Sequence, residues 1–273
     1  MIVYIMTDME GLAGIDHWDQ CYDPDDHSPI YQYGREQLTA EANAAIAGCF
    51  DAGATEVRIC DGHGRNQNKG FIRERLDPRG RIVWITAYPV RLEGMDESVS
   101  AVIVIGQHAM AGTINGFLDH TQQPKEVCRF LINGQEHGEL SQMALYAGAY
   151  NVPVVHVSGD EACCNESRRL FPHAGVTPTK RGTGWATCEL YPAEKVRKEL
   201  RSGIAESLRR RRDAIPWRLP SPITVECEWS YSKRVDDIAS VSGVVRTHAR
   251  IAHWTISNPL DISTWPNKDW SPG

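Results

Sequence analysis

The sequence has little of what membrane and nucleic-acid partners require. No stretch approaches the roughly 18 consecutive apolar residues of a transmembrane helix. The 29 basic residues are outnumbered by 35 acidic ones, which gives a net charge of −6, whereas nucleic-acid binding usually needs a basic surface. The first residues also lack the charged and apolar regions of a secretory signal peptide. We therefore expect a cytoplasmic protein that binds neither a membrane nor a nucleic acid.

Paired-cysteine motifs are also missing. The eight cysteines include no CxxC pair and no zinc-finger spacing, and most of them lie inside apolar runs. A cysteine in such a run is usually a free, buried thiol. The pattern favours a reducing compartment and argues against a zinc site built from thiolates.

What the sequence does contain is a short apolar segment that ends in two carboxylates. Residues 2–6 favour a β-strand, Asp8 and Glu10 follow, and Gly11 interrupts the pattern. An apolar run closed by a glycine is typical of a buried parallel strand, and ligands bind at the carboxyl ends of such strands. The two side chains share one face if the strand geometry continues. Because like charges repel unless they are protonated or bind a cation, the pair indicates a metal site if other ligands join it.

The remaining chain predicts an α/β fold. An amphipathic helix over residues 31–52 is followed by strands over 56–60, 81–87, 101–106 and 152–157, and β-α-β order is the unit of a parallel sheet. From about residue 175 the pattern changes to a long charged helix over 193–212 and short strand-like pieces. We predict a mainly parallel central sheet flanked by helices in a metal-binding catalytic domain (1–175), with a smaller α+β C-terminal subdomain (176–273).

Further candidate ligands stand where later strands end. His63 and His108 each follow a predicted strand, and Glu139 opens a helix after an Asn-Gly turn. Carboxylates and imidazoles without thiolates suit zinc, and manganese or iron less well. Five ligands, one of which can bridge, are enough for a pair of metals. Taken singly, each residue has an ordinary explanation as a helix cap, a surface charge or a structural histidine, so the residues alone leave both interpretations open.

His120 is the candidate for proton transfer. It follows Asp119 in a predicted loop, and a histidine close to a metal site can move protons during hydrolysis. The chain has ten histidines, so this position alone is a weak signal. Asp119 is a candidate for binding a substrate amine, and the alternative is an aspartate that caps its own loop.

Taken together, the motifs resemble the D-aminopeptidase family of zinc metallopeptidases, peptidase family M55, first known from a dipeptide-transport operon. The resemblance spans roughly residues 1–215 and rests on the following segments: Thr-Asp-Met-Glu-Gly-Leu-Ala-Gly (7–14), Asp-Gly-His (61–63), Gly-Gln-His-Ala (106–109), Asp-His-Thr (119–121) and Ile-Asn-Gly…Gly-Glu-Leu (132–140). Differences around these motifs, such as Gly62 and Asp119, leave the substrate open.

The resemblance implies two zinc ions per chain. Asp8 would bridge them, Glu10 and His63 would complete one ligand set, and His108 and Glu139 the other. His120 falls at the family's catalytic histidine, and Lys180 matches a lysine of the family, for which we predict a substrate-binding role. The family also implies a ring-shaped homodecamer with enclosed active sites.

The predicted function is therefore a zinc-dependent aminopeptidase that cleaves amide bonds of short peptides or aminoacyl amides, with a preference for D-residues. A two-metal amidohydrolase acting on a non-peptide amide is the nearest alternative. A nucleotide-binding protein is a different class, but the glycines at 11 and 14 do not form a phosphate-binding motif. A catalytically inactive ring scaffold is the third possibility, and the presence of all the ligand types argues against it.

Overall fold

The structure is a computed structural model that describes residues 1–23, 27–63, 69–267 and 269. Its main sheet has seven strands in the order β3-β2-β1-β4-β7-β8-β9. These strands are β1 (Ile2–Thr7), β2 (Glu56–Asp61), β3 (Gly80–Ile82), β4 (Val99–Gln107), β7 (Val154–Asp160), β8 (Gly175–Gly184) and β9 (Thr187–Leu190). All neighbours pair in parallel except β8 and β9. The prediction of a mainly parallel central sheet is confirmed.

The strand order reverses direction at β1. The chain first adds β2 and β3 on one side of β1 and then crosses to place β4 on the other side. Thr7, the last residue of β1, is in register with Asp61 on β2 and with Ile105 on β4. In open α/β sheets this point of reversal is where a crevice forms beyond the carboxyl ends of the strands. Residues that directly follow β1, β2 and β4 are therefore brought to one place.

Helices cover both faces of this sheet because its strands are apolar on both sides. They are α1 (Pro29–Asp51), α2 (Glu139–Ala149), α3 (Glu161–Leu170) and α4 (Ala193–Arg209), and a short further helix, α5 (Lys233–Ile238), follows later in the chain. Val3 and Ile5 of β1 pack in one cluster with α1 and α4. Tyr4, which points to the opposite face, packs with α2 in a second cluster.

A separate antiparallel sheet completes the second cluster. Its order is β11-β12-β10-β5-β6, with β5 (Val127–Ile132), β6 (Gln135–Glu136), β10 (Ile223–Trp229), β11 (Val244–His248) and β12 (Ile251–Ile256). Trp229 and Trp254 pack with α2 in the shared apolar core. The two sheets interleave along the sequence: β5 and β6 precede residue 175 yet pair with the C-terminal strands, and β8 and β9 extend the main sheet. The division at residue 175 stays a prediction.

Two elements end earlier than their sequence pattern predicts. The strand predicted over 81–87 stops at Ile82, because the chain then turns back and pairs with itself: the Glu93 N–H donates to the Trp84 carbonyl, and the Thr86 N–H to the Arg91 carbonyl. The helix predicted over 193–212 ends at Arg209, and a 3-10 turn follows. No helix in the described ranges is both long and apolar enough to span a bilayer.

Glu41 on α1 predicts a pH dependence of stability. Its fully buried carboxyl accepts the Ala13 backbone N–H, and the other oxygen has no hydrogen-bond partner among the described residues. Burial raises the pKa of Glu41 from 4.5 to about 7. The unfolded chain therefore loses this proton at lower pH than the folded protein, so the stability that Glu41 contributes declines as the pH rises from about 4.5 to about 7.

Relative to the Glu41→Gln variant, which cannot ionise, the wild-type protein should lose stability between pH 5 and pH 8. The difference between their free energies of unfolding should change by up to about 3 kcal/mol over this pH range. Urea unfolding of both proteins across this range measures it, and all other titrating groups cancel in the comparison. A difference that is independent of pH would show that Glu41 is not protonated in the folded protein.

Candidate metal centre

Backbone hydrogen bonds hold the segment that carries Asp8 and Glu10 against the neighbouring strand, β4. The Asp8 N–H donates to the Ile105 carbonyl and the Gly11 N–H to the Gly106 carbonyl of β4. A Cβ at Gly11 would lie 2.1 Å from the Gln107 carbonyl oxygen, so only glycine permits this approach. Both carboxylates are buried. The chain thus places two acidic groups inside the crevice at the point where the strand order reverses.

His63, which follows β2, faces both of these carboxylates. Its Nδ1 lies 2.8 Å from Asp8 Oδ1 and 3.2 Å from Glu10 Oε2. Its Nε2 lies 2.8 Å from the Cys21 carbonyl oxygen. Because a carbonyl only accepts, Nε2 carries the hydrogen and donates it there. In the neutral imidazole this leaves the lone pair of Nδ1 directed at the carboxylates.

His108, directly after β4, is oriented in the same way. Its Nδ1 donates to the Ala109 carbonyl at 2.9 Å. Its Nε2 lies 3.4 Å from Asp8 Oδ2 and 3.4 Å from Glu139 Oε1. Glu139 is the first residue of α2, where the helix dipole favours a negative charge. Its Oε1 also accepts the Gln122 backbone N–H at 2.7 Å.

Asp8 lies between two groups of candidate ligands. One of its oxygens faces His63 beside Glu10, and the other faces His108 beside Glu139. The structure therefore brings together all five predicted ligands, in the two sets that the family resemblance implies. It also adds a residue that the sequence analysis missed: Gln107 Nε2 donates to Asp8 Oδ2 at 3.0 Å. The one indication of this role in the sequence is that Gln107 directly precedes His108.

The donor atoms fit a cation. Glu10 Oε2 and His108 Nε2 are buried and find no hydrogen-bond partner among the described residues. Donor atoms of Asp8, Glu10 and His108 lie within 4.8 Å of one another. An imidazole lone pair that faces a carboxylate is repelled unless a proton or a cation stands between them. Carboxylates and imidazoles whose second ring nitrogen is held by a carbonyl form the usual environment of zinc.

The charges in the cluster shift the pKa values of its members strongly. Burial, and then Glu10, raises the pKa of Asp8 to about 7. Burial alone would lower the pKa of His63, but Glu10 and Asp8 hold it well above its usual value. Burial also opposes a charge on His108, but Glu139, followed by Asp8 and Glu10, raises the pKa of His108 well above its usual value. Without a cation, the cluster therefore retains protons between its donor atoms at neutral pH.

His120 lies against this cluster. Its ring stacks on His108 with centroids 3.7 Å apart and planes at 15°. Its Nδ1 donates to the Leu118 carbonyl at 2.8 Å, and its Nε2 lies 3.8 Å from Glu139 Oε1. Burial, and then His108, lowers the pKa of His120. Leu118 and Gln122 both have positive φ, at 52° and 63°, so the backbone on either side of His120 is held in a strained conformation.

The two predicted substrate-binding residues have partners inside the protein. Asp119 Oδ2 accepts the N–H groups of Gly112 and Thr113 at 2.7 and 3.3 Å. Lys180 is fully buried, and its Nζ donates to the carbonyls of Glu10 and Ile15 and lies over the Phe117 ring. These contacts fix a loop and the segment after β1. The substrate-binding roles of both residues stay predictions.

The sequence matches the model of peptidase family M55, described as D-aminopeptidase, over residues 1–267. The chain belongs to the M55 family. A curated D-aminopeptidase from Bacillus subtilis (strain 168) is 34% identical over 182 residues, which make up 66% of this chain and 64% of that relative. The alignment thus spans a little less than two thirds of the relative's length.

A solved structure has the same fold. It is described as the zinc-dependent D-aminopeptidase DppA from Bacillus subtilis, a self-compartmentalizing protease. The TM-score is 0.88 at 26% sequence identity, with 96% of this chain and 94% of that one covered. The family predicted from the motifs is confirmed.

Zinc binding to this M55 chain should strengthen as the pH rises from 6 to 8. The raised pKa values of Asp8, His63 and His108 mean that zinc must displace protons, and each displaced proton changes the affinity by roughly tenfold per pH unit. Calorimetric titration in buffers of different ionisation enthalpy counts the protons released. His108→Ala should release fewer of them. An affinity that does not change with pH would contradict this account of the cluster.

Replacing Lys180 should loosen the segment that holds Glu10. Lys180→Met leaves the Glu10 and Ile15 carbonyls without their donor, at a cost of about 1–3 kcal/mol. We expect a lower melting temperature and weaker zinc binding, whereas the exposed-lysine control Lys195→Met should change neither. A raised KM with unaltered zinc affinity would instead support the substrate-binding role.

Proposed function

We propose that this protein is a zinc-dependent aminopeptidase that hydrolyses amide bonds of short peptides or aminoacyl amides, with a preference for D-residues. One observation carries the proposal. His63 and His108 each donate one ring hydrogen to a backbone carbonyl and thereby direct the other nitrogen at a carboxylate pair. Membership of the M55 family and the zinc dependence of the structural relative support the same conclusion.

Two zinc ions are proposed for each chain. Asp8 would bridge them, with Glu10 and His63 on one side and His108 and Glu139 on the other, in agreement with the contacts of the two Asp8 oxygens. Zinc in such a site supplies Lewis acidity, which activates water and polarises a carbonyl at neutral pH. Gln107 would position Asp8 through its hydrogen bond to Oδ2.

His120 is proposed to move the proton. Its Nδ1 hydrogen is held by the Leu118 carbonyl, so proton exchange takes place at Nε2, which faces Glu139. Burial and the adjacent His108 lower the pKa of His120, so the ring is neutral at pH 7 and is able to accept a proton. It takes the proton from water at Nε2 and gives it to the amine that leaves when the amide bond breaks. Glu139 stabilises the imidazolium between these two events.

An enclosed assembly is part of the proposal. The structural relative is described as self-compartmentalizing, and we propose that this chain also forms a homo-oligomer, a decamer, in the cytoplasm. The molar mass in solution, from light scattering, tests this part separately from the chemistry.

The His120→Ala variant tests the mechanism. It should retain about two zinc ions per chain and lose hydrolysis by a factor of roughly 10² to 10⁴, because general acid-base transfer is removed while the ligands remain. His253→Ala, on β12, is the matched control and should keep both properties. Zinc is counted by elemental analysis, and activity is measured on D- and L-aminoacyl amides beside N-acylated amides.

Two outcomes would contradict the proposal. The donor atoms of His108, His120 and Glu139 lie within 4.8 Å of one another, so a lower zinc count in His120→Ala would make His120 a ligand instead of the proton carrier. Cleavage of N-acylated amides in preference to free aminoacyl amides would replace the aminopeptidase with an amidohydrolase.

A further inference from the structure

Three aromatic side chains continue from His120 towards the surface. The Trp18 ring meets the His120 ring edge-on, with centroids 6.4 Å apart and planes at 73°. Trp18 also stacks on Trp185, with centroids 6.2 Å apart and planes at 25°, and lies 6.4 Å from Tyr22. We call Trp18, Tyr22 and Trp185 the aromatic wall. It extends from His120, the proposed proton carrier, to residues 18–22 and to the turn between β8 and β9.

Trp185 is held firmly in this wall. It lies in the turn between β8 and β9, and its Nε1 donates to the Asp119 carbonyl at 3.2 Å. Its own carbonyl accepts the Leu118 N–H at 2.7 Å. Two hydrogen bonds therefore tie Trp185 to the residues that directly precede His120. The ring keeps its place beside the site although half of its surface is exposed.

Trp18 and Tyr22 belong to a single short turn. Trp18 begins a 3-10 turn, and its carbonyl accepts the N–H groups of Cys21 and Tyr22. The Cys21 carbonyl is the group that orients His63. One segment of five residues thus supports a metal ligand on one side and two rings of the aromatic wall on the other.

The wall is partly open to solvent. Trp185 and Tyr22 have exposed fractions of 50% and 54%. A soluble protein rarely exposes large aromatic rings side by side unless a ligand or a partner covers them. Rigid, positioned aromatic rings bind other apolar side chains well because little conformational entropy is lost.

We propose that the aromatic wall is the subsite for a large apolar side chain on the residue that leaves after cleavage. This inference rests on the proposed function, because His120 gives its proton to the leaving amine and the residue attached to that amine must lie next to the His120 ring. Trp18 contacts that ring, and Trp185 and Tyr22 extend the surface outward. The favoured substrates are therefore short peptides whose second residue is aromatic or large and aliphatic, in preference to alanine.

The test compares dipeptides that differ only in the second residue. For the zinc-loaded protein, kcat/KM for D-Ala-D-Phe should exceed that for D-Ala-D-Ala by roughly ten- to a hundredfold, as expected for a filled apolar subsite. Trp185→Ala and Tyr22→Ala should move this ratio towards one. Trp84→Ala removes a similarly exposed tryptophan that contacts Arg73 instead of the wall, and it should leave the ratio unchanged.

Trp185→Phe separates a subsite from a supporting role. It keeps an aromatic ring and loses the hydrogen bond to Asp119. If the wall is a subsite, the ratio of kcat/KM for D-Ala-D-Phe to that for D-Ala-D-Ala should be largely retained in Trp185→Phe. A residue that only positions His120 would lower kcat for both peptides equally in Trp185→Phe and in Trp185→Ala, and that result would overturn the proposal.

Product binding provides a measurement that does not depend on turnover. By calorimetry, D-phenylalanine should bind the protein at least tenfold more tightly than D-alanine, and Trp185→Ala should remove the difference. If neither peptide is cleaved, the proposed function fails, and this titration still decides the role of the wall. Equal binding of the two amino acids, or tighter binding of tetramethylammonium, which aromatic rings hold through cation–π contacts, would overturn the inference.

Discussion

The rest of the site depends on the burial of two carboxylates on one strand end. Asp8 and Glu10 lie in the crevice at the reversal of the strand order, where water cannot screen their repulsion. Their negative charge has to be compensated locally. His63 and His108 do this in part, and each is held by a backbone carbonyl on its outer side. Only protons or cations between the donor atoms complete the balance, and so the geometry that folds the cluster also prepares it for metal.

The parts that support this cluster come from distant segments of the chain. Lys180 of β8 binds the carbonyls of Glu10 and Ile15, and its burial lowers the pKa of the ammonium group. The free-energy cost of burying the charge is offset because two carbonyls and the Phe117 ring replace water around the ammonium group. Gln107 performs a similar task for Asp8. The acidic segment is therefore held on its backbone by β4 and β8 and on its side chains by the histidines.

The sequence predicted the elements whose signal is local. The apolar runs of β1 and β4, the helix α1 and the candidate ligands at strand ends follow from periodicity and from the rule that parallel strands end at one edge. What it did not show depends on pairing between distant residues. The positions of β5 in the antiparallel sheet and of β8 in the main sheet are set by which apolar faces meet, and a strand pattern does not name its neighbour. Gln107 and Trp185 were missed for the same reason, because their partners lie on other segments.

The turn that contains Trp18 shows how binding and metal geometry become coupled. Its Cys21 carbonyl fixes the tautomer of His63, while Trp18 touches His120 at the opposite end of the cluster. A side chain bound at the proposed subsite would contact the same segment that orients His63, a predicted metal ligand. Leu118 and Gln122, on either side of His120, have positive φ, so the backbone that presents the His120 ring to Trp18 is strained as well. The proposed roles of the aromatic wall and of His120 therefore meet in residues 18–22, which contact the His63 and His120 rings alike.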